Sequence, residues 1–233
     1  MRGLIGIGAV AGGLVCLSLA HLGAHTRITT TVTWDREISP IIQTRCLTCH
    51  ASGGRGPMSL ATYEAARPWA RAIRHEVLTR RMPKWHAARG YGDFSNDPSL
   101  SPFEIQLIVA WVDGGAPKSL AAAGSMTSPP PASAKPQAAT APSQYVTLPC
   151  GNDALLPSGQ LIGLQPRLDA GGSVRVTALM PDGRREMLGW FRDFDPAFAP
   201  VYTLRTPLAL PSGGRLVTDA TSTQMCSIVL SIR

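Results

Sequence analysis

The side chains with the strongest chemical signature lie in a run of five residues, where two residues separate Cys46 from Cys49 and His50 follows directly. A Cys-x-x-Cys-His sequence is typical of covalent haem attachment. On one helical turn the two thiols can reach the two vinyl groups of the porphyrin, and the adjacent imidazole then lies beneath the iron. The spacing therefore predicts one covalent haem c, bound through Cys46, Cys49 and His50.

Two other uses of such a cysteine pair remain as alternatives. A redox-active pair of the thioredoxin type belongs to a βαβ pattern, which the surrounding sequence does not have. A structural zinc site requires four ligands, and no second Cys or His pair follows at a suitable spacing. Haem attachment fits this motif and its context better than either.

The elements around the motif have helical periodicity. A helix is predicted to begin at Ser39-Pro40, and five apolar or thiol side chains share one of its faces: Ile38, Ile41, Ile42, Cys46 and Cys49. A second helix is predicted over residues 67–81. A third is predicted to open at Ser101, with proline at the first helical position and Glu104 at the third, and to end at Gly114-Gly115. Three short helices around a haem indicate a small all-α domain.

Residues 35–115 resemble a class I-type cytochrome c domain, in particular the bacterial subgroup fused to copper type II, ascorbate-dependent monooxygenases. The resemblance rests on the haem motif and on three further phrases, at residues 56–60, 80–85 and 94–97. It implies His50 as the proximal ligand, Met82 as the distal ligand, and a hydrogen bond from His50 to the carbonyl of Pro57. The family usually has proline where this chain has Lys84.

Three other side chains are candidates for the sixth ligand. Met58 follows His50 by only eight residues and is expected in the core on the proximal side. His75 is expected on a solvated helix face, and His86, four residues past Met82, is the strongest rival. Ligation by His and Met leaves no open position on the iron, which favours electron transfer over oxygen or peroxidase chemistry.

Composition limits the classes of partner. The 233 residues are 44% hydrophobic and carry a formal charge of +7, too diffuse an excess to indicate nucleic acid binding. Three arginines share one face of the predicted second helix, and four further cations flank the predicted distal ligand: Arg67, Arg71 and Arg74, then Arg80, Arg81, Lys84 and Arg89. These seven cations are either a solvated face or a docking surface for an acidic redox protein.

The N-terminal residues 1–25 are predicted to be an export signal or an uncleaved membrane anchor. Met1-Arg2 precedes an apolar stretch over residues 4–22, and small residues follow. Cys16 does not match a lipid-attachment site because Val15 precedes it. Either outcome places the rest of the chain on the periplasmic side, soluble or anchored in the inner membrane.

The rest of the chain indicates a second domain. Residues 116–144 are rich in Ala, Pro and Ser and are predicted to be a linker between a cytochrome c domain (34–115) and a β-rich domain (145–233). A hairpin is predicted over residues 174–190, with further strands at 201–204, 208–210, 215–218 and 226–232. Cys150 and Cys226 are expected to form a disulfide, since the domain is exported. The predicted fold class is multidomain α + β: a small all-α cytochrome c domain, then an antiparallel β-sandwich.

Residues 155–213 of the second domain resemble the C-terminal half of peptidylglycine-hydroxylating copper monooxygenases. Both histidines of the family's His-x-His motif are replaced, by Arg167 and Asp169, and only Met225 matches its copper-binding methionine. All five histidines of the chain lie within the first 86 residues, so the second domain cannot supply imidazole ligands. A lone thioether is a poor ligand for copper(II), and no copper is expected.

These observations predict an exported monohaem cytochrome c, either soluble or anchored in the membrane by residues 4–22. It would carry single electrons to or from a redox protein or a membrane electron-transfer complex, with the sandwich as a docking or assembly module, and would not be an enzyme. The main alternative is an accessory structural subunit of a membrane respiratory or photosynthetic complex. A copper monooxygenase is disfavoured by the missing histidines.

Overall fold

A computed structural model describes residues 30–119, 141–151, 154–221 and 225–233. The predicted export segment (1–25) and residues 120–140 of the predicted linker lie outside these ranges. None of the helices within the described ranges is long and apolar enough to cross a membrane.

The helical region precedes the strands and consists of short elements. It opens with a π-helical turn, Trp34–Ile38, and a 3-10 turn, Arg67–Trp69, precedes the fourth helix. The helices are α1 (Ser39–Arg45), α2 (Leu47–His50), α3 (Tyr63–Ala66), α4 (Ala70–Leu78) and α5 (Pro102–Asp113). The helix predicted over 67–81 is thus a shorter helix that follows a 3-10 turn.

A compact apolar core joins α1 to α5. Ile38, Ile42, Ile108 and Trp111 are fully buried in it. The predicted start of α5 is present: Ser101 accepts a hydrogen bond from the Glu104 amide while the Glu104 carboxylate accepts one from the Ser101 amide. This reciprocal pairing satisfies two backbone donors that would otherwise lack partners at the helix terminus.

Within the described residues, eight strands form two antiparallel four-stranded sheets. They are β1 (Gln144–Pro149), β2 (Ala154–Leu155), β3 (Gly159–Leu168), β4 (Val174–Leu179), β5 (Arg185–Phe191), β6 (Tyr202–Leu210), β7 (Arg215–Ala220) and β8 (Cys226–Ile232). The order is β1-β8-β3-β6 in one sheet and β2-β7-β4-β5 in the other. The predicted hairpin over 174–190 is present as β4 and β5. Cys150 and Cys226 form the expected disulfide, with their Cα atoms 5.4 Å apart.

The segment that follows the predicted distal ligand packs into the sheets rather than with the helices. We call residues 84–97 the bridging segment. Within it Ala87 pairs with Phe191 at the edge of one sheet, and Phe94 pairs with Leu204 at the edge of the other. Both side chains, Ala87 and Phe94, belong to the buried core between the sheets. The bridging segment therefore spans the gap between the β5 and β6 edges.

The prediction of a separate small all-α cytochrome c domain is wrong. The chain is mainly antiparallel β-structure with short helices, and the middle of the predicted haem domain completes the β-sheet core. The physical reason is that Trp85 and Phe94 lie in a stretch without helical periodicity and pack around Tyr202, with ring centroids 4.5 and 5.3 Å away. Aromatic side chains bury large areas, so these contacts join the two parts into one structure.

Candidate haem site

The Cys-x-x-Cys-His motif occupies one turn between α1 and the end of α2. Cys46 follows the last residue of α1, and its amide donates to the Ile42 carbonyl at 2.9 Å. Cys49 and His50 end α2, and the His50 amide donates to the Cys46 carbonyl at 2.9 Å. Both cysteines are free thiols and partly buried. The turn thus holds two thiols and an imidazole within a single helical repeat, as the sequence predicts.

The protonation state of Cys46 is set by its surroundings. Burial is the largest cause that raises the pKa of this thiol to about 12; the charges of Cys49 and Glu104 also raise it, while Arg45 acts in the opposite direction. A thiol with such a pKa is protonated at neutral pH. Reactive redox cysteines instead have lowered pKa values, so this environment disfavours a thioredoxin-type role for Cys46.

The loop after α2 folds back over the imidazole and fixes its orientation. The Nδ1 atom of His50 is 3.0 Å from the carbonyl oxygen of Met58. The Leu60 amide donates to the His50 carbonyl at 2.8 Å, and the Gly56 amide donates to the Cys49 carbonyl at 2.7 Å. With Nδ1 as donor to a carbonyl, Nε2 is the nitrogen available to bind a metal.

The carbonyl that contacts His50 differs from the predicted one. The resemblance implied Pro57, whereas the acceptor is Met58, one residue later. The physical reason is the path of the loop: Pro57 is exposed, while the Met58 side chain packs against the helical core and thereby positions its own carbonyl. Met58 therefore supports the proximal side through its backbone and its packing.

Gly56 lies so close to the imidazole that a larger residue would not fit. A Cβ atom built on Gly56 would be 2.5 Å from Nδ1 of His50 and 2.8 Å from Cε1. Real side chains do not approach this closely, so the loop or the ring would have to shift. The loop backbone thus forms a close cover over one edge of the imidazole, which restricts its rotation.

Met82, the predicted distal ligand, lines a mainly apolar cavity. This cavity measures about 350 Å³; Val77, Leu100 and Ile105 line it beside Met82, and Arg80, Arg89 and Ser99 line it as well. The Met82 side chain is partly buried. A thioether at the wall of an apolar space is suited to bind a soft metal centre in an apolar cofactor.

His86, the strongest rival ligand, is bound to the sheets through both ring nitrogens. The Asp195 amide donates to Nε2 at 3.3 Å, and Nδ1 lies 3.1 Å from the Tyr202 hydroxyl. Because an amide only donates, Nε2 must accept, and Nδ1 carries the proton. Burial is the main cause that lowers the pKa of His86. Neither nitrogen is available to a metal in this arrangement.

The other histidine candidate lies where a solvated side chain is expected. His75 is exposed on α4, and its carbonyl accepts a hydrogen bond from the Thr79 hydroxyl at 2.8 Å. Exposure to water gives no apolar site for a haem, so His75 is a poor ligand candidate.

Most of the predicted basic docking surface has intramolecular partners. Three of the seven cations pair with carboxylates: Arg74 with Asp113, Arg81 with Glu76, and Lys84 with Asp195. Arg67 and Arg89 donate to backbone carbonyls. Arg71 and Arg80 are exposed. The positive potential of this surface is therefore weaker than the sequence suggests.

The three positions that the resemblance aligns with copper ligands, Arg167, Asp169 and Met225, meet at one end of β3 and β8. Leu168 pairs with Cys226 in the strand register, the Arg167 side chain is exposed, and the Asp169 carboxylate accepts the Met225 amide at 3.0 Å. The Met225 side chain is 56% exposed. Among the described residues no group of three or more His, Cys, Asp or Glu side chains could hold a metal ion.

Comparisons with known proteins found no match: no family model, no curated protein and no solved structure is similar to this chain. Any function must therefore be argued from the residues described here. These residues fit haem c chemically: two thiols at the required spacing, an imidazole oriented through Nδ1, and a thioether at an apolar cavity wall.

Proposed function

We propose that this protein is a monohaem c-type cytochrome that carries single electrons between redox partners on the periplasmic side of a membrane. The observation that carries the proposal is the Cys46–His50 turn, in which the imidazole is already oriented through a carbonyl hydrogen bond at Nδ1. Preorganised ligands of this kind lose little freedom when the metal binds.

Each residue has a defined part in this proposal. Cys46 and Cys49 would attach the haem, and His50 would bind its iron through Nε2. Met82 would supply the second protein ligand to the iron, because His86, its rival, has both ring nitrogens engaged. When bound, the haem would supply one-electron exchange, and a filled coordination sphere would keep oxygen away from the iron.

In addition to docking, the sheets would position the distal ligand, Met82. The bridging segment begins two residues after Met82, and its side chains are anchored in the sheet core. The sheets would thus hold the distal ligand in position while the loop over residues 51–60 holds the proximal one. Docking of an acidic redox partner would use the exposed cations, Arg71 and Arg80 among them.

The test is production of the full chain in a bacterium whose cytochrome c maturation system is active. We expect a pyridine haemochrome assay to give one covalent haem per chain. The reduced-minus-oxidised spectrum should be that of a low-spin haem, with a methionine-to-iron band in the oxidised form. Met82→Ala should abolish that band while covalent haem is retained; Met58→Leu, a matched change of the other nearby methionine, should keep it.

A chain that carries no covalent haem, in cells that load a known c-type cytochrome, would overturn the proposal. Such a result would favour the accessory structural subunit. Loss of the methionine band in Met58→Leu and its retention in Met82→Ala would overturn the ligand assignment alone.

A further inference from the structure

Two adjoining cavities lie where the helices meet the sheets, and they differ in polarity. The apolar cavity contains Met82, as described above. The second cavity measures about 400 Å³ and is lined by three guanidinium groups, those of Arg45, Arg89 and Arg205. Both are lined by Trp85, Ala87, Arg89 and Ser99. Together they form a space that is mainly apolar around Met82 and rich in arginine at the other end, with Arg89 lining both parts.

The space lies beside the predicted attachment point. Arg45, at its cationic end, directly precedes Cys46. The Nε atom of Arg45 is 3.0 Å from the Glu104 carboxylate, which fixes the Arg45 side chain against the first turn of α5. Ile105, the next residue of α5, lines the apolar end. A flat group attached at Cys46 and bound by Met82 would extend into this space, with apolar side chains near Met82 and arginines near Arg45.

A haem matches this division, because it is an apolar ring with two carboxylates on one edge. We propose that Arg45, Arg89 and Arg205 bind the haem propionates at the cationic end of this space; the inference rests on the proposed function. Arg205 belongs to β6. The sheets would then supply part of the haem site itself, beyond docking and beyond support of the distal ligand.

The local charges permit such binding. Two carboxylates, those of Asp93 and Asp97, line the same cavity as the three guanidinium groups. Arg205 Nε is 2.9 Å from Asp93, and Arg89 donates to the Leu100 carbonyl. Each guanidinium has five N–H donors, so these contacts leave donors for a second acceptor. Arginine is well suited to carboxylates because its planar donors can bind both oxygens.

The partial exposure of the arginine side chains also suits a site for haem propionates. The Arg205 side chain is 59% exposed and that of Arg45 is 33% exposed. Ionised propionates can therefore remain partly hydrated at the mouth of the cavity while the ring is buried. Full burial of two negative charges would be far more costly.

The test is the midpoint potential of the haem-loaded full chain with Arg205→Gln and with Arg89→Gln. Removal of a nearby positive charge stabilises the ferric form relative to the ferrous form, so we expect the potential to fall in both variants. Arg205→Lys should recover most of the difference. Arg184→Gln is the matched control, since it removes the same charge from an exposed residue of the hairpin turn that pairs with Glu186.

The pH dependence of the potential gives a second readout. A propionic acid that loses a guanidinium partner has a raised pKa, so the pH-dependent part of the potential should move to higher pH in Arg205→Gln and Arg89→Gln. Wild-type potentials and pH profiles in both variants, with haem attached, would overturn this inference and leave the proposed function intact. Absence of covalent haem from the unsubstituted chain would instead overturn the proposed function. Should Arg205→Gln fail to fold, Arg89→Gln and Arg205→Lys still decide the matter.

Discussion

The two segments that carry the candidate iron ligands are positioned by contacts of very different range. On the proximal side the acceptor for His50 lies only eight residues along the chain. On the distal side, contacts of the bridging segment join residues more than 100 positions apart: Lys84 with Asp195, His86 with Tyr202, and Asp93 with Arg205. The proximal half is thus a local structure, whereas the distal half depends on the folded sheets.

In the proposed cytochrome, the two iron ligands would therefore depend on different parts of the fold. The Cys46–His50 turn needs only α1, α2 and the following loop in order to present its ligands. Met82 needs the bridging segment to be seated between β5 and β6. We therefore expect damage to the sheets to affect the methionine ligand first and the covalent attachment last.

The largest expected effect concerns the proximal side, where the Cys46–His50 turn would attach the haem. Replacement of both thiols, Cys46→Ser and Cys49→Ser, should abolish covalent haem completely, because no thioether can form. Haem stain after denaturing electrophoresis measures this directly. Thr48→Ala changes an exposed residue between the two cysteines and should retain the haem. Covalent haem in the double variant would show that attachment does not use this turn.

The next largest effect is expected on the distal side, which depends on contacts between the bridging segment and the sheets. Phe94 is 5% exposed and lies in the core between the sheets. Phe94→Ala should lower the free energy of unfolding by about 3–5 kcal/mol, as truncations of buried aromatics do. The methionine-to-iron band should weaken at a denaturant concentration where covalent haem is still present. Urea unfolding followed by that band and by tryptophan fluorescence measures both.

The matched control for this change is Phe103→Ala. Phe103 lies on α5 and is 66% exposed, so its truncation should leave the unfolding midpoint nearly unchanged. If Phe94→Ala leaves the methionine band as resistant to urea as in the wild type, the distal ligand does not depend on the sheets and the contrast between the two sides is wrong.

The same contrast explains how far the sequence alone could predict this structure. The helical turn at Cys46–His50 and the cap of α5 are local patterns, and the hairpin over residues 174–190 is set by its turn residues; these three elements are present. The bridging segment has no periodicity of its own, and its partners in the sheets lie more than 100 residues away. Single-sequence patterns carry no information about such pairings, and for this reason the sequence alone predicts a helical domain for this segment.

The site was predictable to a similar degree. The identity of Cys46, Cys49 and His50 as candidate ligands follows from their spacing, whereas the carbonyl that orients His50 depends on how a ten-residue loop, 51–60, packs. The sequence alone does not link Arg205 to the proposed haem site, because only the register of β6 against the bridging segment brings Arg205 close to Asp93.

A smaller effect is expected from Gly56→Ala on the proximal side. The added Cβ would be 2.5 Å from Nδ1 of His50, so the loop must move. Overpacking of this kind costs about 1–3 kcal/mol. Covalent haem should remain, while the unfolding midpoint and the near-ultraviolet or Soret dichroism of the haem change. Ser52→Ala, at an exposed position of the same loop, should change neither. A wild-type midpoint and dichroism in Gly56→Ala would contradict the close packing of the loop on the imidazole.

The smallest effect is a pH dependence on the distal side. Burial, opposed by Asp195 and Asp193 and assisted by Lys84, keeps the pKa of His86 below its ordinary value of 6.5. The unfolded chain therefore binds this proton more readily than the folded chain. The resulting contribution to stability is fully present above about pH 6.5 and is lost as the pH falls toward the lower folded-state pKa. Urea midpoints at pH 7.5 and 5.5 measure the difference.

Protonation of His86 would place a proton on Nε2, the atom that accepts the Asp195 amide, and so would break one tie between the bridging segment and the sheets. In His86→Gln this part of the pH dependence should disappear, and the midpoints at the two pH values should lie closer together. His75→Gln, a change at an exposed histidine of α4, should leave the wild-type dependence intact. If the two variants respond to pH alike, the buried imidazole does not contribute to the acid sensitivity of the distal side, and its hold on the bridging segment depends on packing against Phe194 and Phe198 alone.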